Sequence, residues 1–131
     1  MNQKGFTLIE VMISIAVLSL ALSGVLFAGT AIQQKIDQDF ERAIAIQDAS
    51  RVIEQIHNAA ATGSFPSNVT TAFPNNGAVA GFTTLSGEAV TVAYVSPTAN
   101  PLDTTVTVTW TLRGRRANQT EAIRTMITKR V

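Results

Sequence analysis

Polar and apolar positions divide this chain into two parts. Residues 11–32 carry no charge, only aliphatic side chains, Phe27 and small residues such as Ser14, Ser19, Ser23, Gly24 and Gly29. At about 1.5 Å per residue, those roughly twenty-two positions form a helix of about 33 Å, long enough to cross a hydrocarbon core of about 30 Å. The helical pattern then changes character without stopping. Ile36, Phe40, Ala43 and Ile44 recur at three- and four-residue spacing, followed by Ile46, Ala49, Val52, Ile53, Ile56 and Ala60. Lys35, Asp37, Glu41, Asp48, Arg51 and Glu54 fall on the other faces, which describes an amphipathic helix. No proline interrupts residues 6–64, whereas Gly63 and Pro66 supply a stop. The pattern therefore predicts one helix of about fifty-five residues, apolar all round in its first half and one-sided in its second.

Residues 67–87 are rich in Thr, Asn, Gly and Ser and read as loop, with a turn at residues 74–77 and one short strand at residues 81–85. Three strands follow. Val90, Val92 and Tyr94 alternate with Thr91 and Ala93; after a turn at residues 97–101, Val106, Val108, Trp110 and Leu112 alternate with threonines. Beyond the basic turn at residues 113–118, residues 122–129 return as a strand with Ile123 and Ile127 on one face. The expected fold class is α+β: a long N-terminal helix packed by its second half against a small antiparallel β-sheet. Its core is aliphatic with Trp110, and its outer face carries the threonines.

Composition narrows the chemistry. The 131 residues suffice for one domain beyond the apolar segment, and the absence of cysteine excludes disulfides, thiolate metal sites and a cysteine nucleophile. His57 is the single histidine, on the amphipathic helix, where it reads as a solvated or helix-end histidine. No phosphate-binding glycine loop, metal-ligand cluster or placed acid–base pair occurs, so neither an enzyme nor a cofactor is expected. The net charge of +1 is no signature of nucleic-acid binding. Arg113, Arg115 and Arg116 concentrate charge in one turn, either as a solvated hairpin end or as a contact to an acidic neighbour. Three arginines without stacking aromatics make a poor nucleic-acid site.

Glu10 is the residue that composition does not explain. An unpaired carboxylate on a membrane helix costs on the order of 3 kcal/mol on the lenient insertion scale. Either Glu10 lies at headgroup level, or it meets a cation inside the apolar phase. The stretch Lys4-Gly5-Phe6-Thr7-Leu8-Ile9-Glu10 that leads into the span resembles the prepilin signal of type IV pilins and type II secretion pseudopilins. The resemblance implies that a prepilin peptidase/N-methyltransferase cuts between Gly5 and Phe6 and methylates the new amine of Phe6. It also implies that Glu10 pairs with the Phe6 amine of a neighbouring subunit during filament assembly. An α-amine with a pKa near 8 is a cation at neutral pH, and such a pair specifies register better than it adds stability.

Residues 1–5 are then a leader, 6–35 the transmembrane and assembly half of the helix, and 36–131 a periplasmic globular domain. Lys4, the only cation before the span, favours a cytoplasmic N-terminus. Partners implied are other pilin or pseudopilin subunits, the inner-membrane assembly platform and lipid. The strand at residues 106–112, the basic turn and the final strand are similar to V-type minor pilins and I-type minor pseudopilins. The chain departs from many larger pilins in having no cysteine and no proline within the membrane half. A minor pilin that primes or caps a type IV pilus is the expected function, with a type II secretion minor pseudopilin as its variant. The contrasting reading is a secreted or membrane-anchored binding module with an ordinary signal sequence cut near Ala28-Gly29-Thr30-Ala31.

Overall fold

The computed structural model describes residues 7–112 and 117–129. Gly5, Phe6, Arg113, Arg115 and Arg116 lie outside the described residues. Helix α1 runs Leu8–Ala61, 54 residues, and is followed by α2 at Ser67–Ala72. Four strands complete the chain: β1 at Gly77–Val79, β2 at Ala89–Tyr94, β3 at Leu102–Thr111 and β4 at Asn118–Ile127. By internal contacts the chain forms two units, Met1–Asp37 and Gln38–Val131.

In the first unit every described residue from Thr7 to Asp37 is exposed. Small polar side chains there bond to their own helix. Ser14, Ser19 and Ser23 donate to the carbonyls four residues back at 2.7, 2.8 and 2.8 Å, and Thr30 donates to the Phe27 carbonyl at 2.9 Å. Satisfied in this way, the hydroxyls need no water and are compatible with lipid.

In the second unit the sheet has the order β1-β2-β3-β4, all neighbours antiparallel, so the strands form a simple meander. Period-two alternation is complete in β3. Leu102, Thr104, Val106, Val108 and Trp110 are buried, and the residues between them are only partly covered. Leu102, Val106, Val108 and Trp110, with Val90, Val92 and Ile127, pack with Ala45, Ala49, Val52, Ile56 and Ala60 of α1 in one core. Three alanines on the helix stripe leave room for the valines of the sheet, which is how a small domain reaches tight packing.

Three local expectations are overturned. The stripe of α1 is rotated: Ile36 and Phe40 stay exposed at 57% and 66%, whereas Ala45 and the acidic Asp48 are buried. Four apolar residues spaced by three and four define two adjacent faces, and the sheet selects the one with the smaller side chains. Residues 67–72 form α2 instead of loop, because this turn closes the end of α1. The Asn68 amide donates to the carbonyls of Ala59 and Thr62 where α1 stops, and Val69 enters the core. The short strand lies at Gly77–Val79, paired with Val90–Val92, and not at residues 81–85, which are irregular. Gly81 and Gly87 have φ of 101° and 63°, a backbone conformation in which an L side chain is strained and a strand cannot run.

Tyr94 ties the segment between α2 and β1 to the sheet. Its hydroxyl donates to the Phe73 carbonyl at 2.9 Å, and its backbone N–H donates to Asn75 Oδ1 at 2.8 Å. Burial pushes the phenol up to about 12, because ionisation would place an anion in the core. Since the folded pKa lies above the unfolded value of about 10, this contribution to stability is complete below pH 10 and is lost as pH rises toward 12. Tyr94 is the only tyrosine, so ultraviolet titration of tyrosinate reads it alone. A midpoint near 12 in the folded chain, falling to about 10 in urea, is expected; a folded midpoint near 10 contradicts the burial.

Candidate functional site

The candidate site begins at the N-terminal end of α1. Thr7 precedes the helix and its carbonyl accepts from the N–H groups of Glu10 and Val11 at 3.0 and 3.3 Å. Its hydroxyl lies 3.5 Å from Glu10 Oε2, and Glu10 is the acid of the first helical turn. Thr7-Leu8-Ile9-Glu10 has the spacing of a capping box, and the positive end of the helix dipole offsets part of the carboxylate charge. This signal was legible in the sequence and lowers the cost of Glu10 without supplying a cation. Behind it, α1 is the one described helix long and apolar enough to cross a membrane, and none of that apolar window is buried.

Polar side chains in the second unit mostly form structural pairs. Trp110, buried in the core, donates from Nε1 to Glu41 Oε2 at 3.1 Å. Arg42 forms a two-point contact with Glu121 of β4 at 3.0 and 3.2 Å. These bonds join the start of this unit's helical segment to β3 and β4, a role that helical spacing alone had hidden. On the outer face of the sheet, Arg124 donates through Nε to Asp103 at 2.8 Å and through a second nitrogen. That hydrogen bonding holds the Asp103 carboxyl below its usual range. His57 is half-buried in an open groove with Ser50, Glu54, Asn58 and Thr128. Among the described residues no three His, Cys, Asp or Glu side chains are grouped to hold a metal ion.

Asp48 corrects the polar face assigned to it. It is 4% exposed on the packed side of α1; Oδ1 lies 3.7 Å from Arg51, and Oδ2 is buried without a hydrogen-bond partner. A carboxylate desolvated in this way is not repaid by one long contact to a largely exposed arginine.

The family described as the prokaryotic N-terminal methylation motif matches residues 1–26. No curated protein and no solved structure gives a significant match. The chain therefore carries a prepilin-type N-terminal methylation motif, a kind of signal found on type IV pilins and pseudopilins. Its fold, one long helix whose second part packs on a small antiparallel sheet, is pilin-like. Behind the motif, the apolar part of α1 is long enough to cross a membrane.

Replacing Asp48 with alanine extends the small-residue stripe of Ala45 and Ala49 and removes the unpaired oxygen. Urea unfolding followed by Trp110 fluorescence is expected to show stability unchanged or raised by about 1 kcal/mol. A loss above about 2 kcal/mol would mean that the Arg51 contact carries net stability.

Proposed function

We propose that this protein is a minor pilin, a low-abundance structural subunit that primes or caps a type IV pilus. The reading is carried by Glu10: an acid at the head of an otherwise uncharged, fully exposed helical segment, inside a methylation motif that spans residues 1–26. A prepilin peptidase/N-methyltransferase cuts between Gly5 and Phe6 and methylates Phe6. The protein then rests in the inner membrane with residues 6–35 across the bilayer, its N-terminus cytoplasmic and residues 36–131 in the periplasm.

On assembly the Glu10 carboxylate meets the Phe6 amine of a neighbouring subunit. Each charge is costly alone in lipid, and the pair cancels most of the field of both. A misregistered neighbour leaves both charges unpaired, so the contact selects one axial position. Arg113, Arg115 and Arg116, which follow β3 in the sequence, would contact an acidic surface on a neighbouring subunit. The chain's small size and lack of cysteine favour a minor over a major subunit. A minor pseudopilin of a type II secretion system would use the same chemistry and is distinguished by which subunits co-purify.

The test is Glu10→Ala. Membrane insertion is expected to be unchanged or improved, because a costly acid is removed. Incorporation into the filament fraction is expected to fall about tenfold or more, the effect of losing about 1.4 kcal/mol of contact. Normal incorporation of the variant would remove the pairing.

A further inference from the structure

Strand β4 is an open sheet edge with unusual properties. It pairs with β3 over ten consecutive residues, from Thr111↔Asn118 to Leu102↔Ile127, with no break in register. Nothing pairs with its other side among the described residues. The opposite edge, β1, is only three residues long. Natural edges of this length are blunted by proline, lysine, bulges or unpaired charge. β4 has no proline, lysine or glycine, and its two charges are already neutralised within the chain, Glu121 by Arg42 and Arg124 by Asp103.

The direction of the free backbone groups follows from one bond. Leu112 donates its N–H to the Ala117 carbonyl. Residue 117 therefore turns toward β3, and so do residues 119, 121, 123, 125 and 127 by the two-residue period. Asn118, Thr120, Ala122, Arg124 and Met126 turn their N–H and C=O groups outward, and all five side chains are exposed. Five donors and five acceptors in one straight row form a template for an added strand.

We infer that β4 accepts an extended, uncharged segment of a different polypeptide in the assembled machine by β-strand addition. This rests on the proposed role as a pilus subunit, since the occupant is a neighbour in that assembly. Charge sets the chemistry. The edge is neutral, with Thr120 and Ala122 at its centre, so it matches a segment rich in threonine, serine or valine and offers no free charge to an acidic or basic one. A second copy is disfavoured by symmetry. Antiparallel β4–β4 pairing uses a two-fold axis normal to the sheet, which would run the sheet-packed helical segments of the copies in opposite directions. Two chains anchored in one membrane by the residues before those segments enter from the same side.

The experiment compares amide hydrogen exchange in residues 117–129 of the full chain, purified alone in detergent and in the assembled filament fraction from its host. The outward amides of Thr120, Ala122 and Arg124 are expected to slow at least tenfold in the filament fraction. Ala122→Pro should abolish that protection while sparing the β3 ladder, because the N–H it removes points outward. Thr120→Lys, which leaves the backbone intact, should do the same. An unchanged Tyr94 titration shows that each variant is folded. Equal exchange in both settings overturns the inference. So does a disulfide-linked homodimer of Ala122→Cys, which would place a second copy on the edge in a chain with no other cysteine. Incorporation that depends on Glu10 together with an unprotected β4 removes only the edge. Protection without Glu10 dependence removes only the pairing.

Discussion

A single helix in this protein has to satisfy two apolar phases that make different demands. Lipid requires that the first part of α1 be uncharged and that its serine and threonine hydroxyls be bonded within the helix. The sheet requires a narrow stripe of small side chains along the second part, which Ala45, Ala49 and Ala60 provide. Everything else in the second unit follows from that packing. The meander of β2, β3 and β4 presents one aliphatic face to the stripe. The pairs Trp110–Glu41 and Arg42–Glu121 fix the helical segment at one end of it, and Asn68 closes the other by capping α1's last carbonyls.

Glu10 is the exception in the first phase, and the proposed function rests on it. The helix start softens its cost through the first-turn dipole and the Thr7 contact. A residual cost is useful to an assembling protein. Under the proposed function, it would make the isolated subunit slightly unfavourable in lipid and a correctly placed neighbour favourable. Such a device adds little to the stability of the fold and much to the choice of position.

Long-range regularity was legible in the sequence, and local closure was not. The alternating valines and threonines from residue 105 to 112 could form only a half-buried strand, and the unbroken run from residue 8 to 61 only a helix. Glu10 stood out against that run without any structure. By contrast, α2 and β1 are short segments whose conformation is set by what they contact, Asn68 by α1's carbonyls and Gly77–Val79 by β2. Asp48 was assigned to the wrong face because its charge outweighed its position, although it lies three and four residues from Ala45 and Val52. The open edge of β4 depends on strand order, which no local pattern carries.

The measurement that tests the account most directly is the intact mass of the protein purified from the membranes of its own host. A mass lacking residues 1–5 and heavier by one methyl group is the predicted result, since it requires cleavage between Gly5 and Phe6 and methylation of the Phe6 amine. A full-length mass would mean a plain anchor, and loss of everything to about residue 31 a secreted domain; either would contradict the assignment to a filament machine.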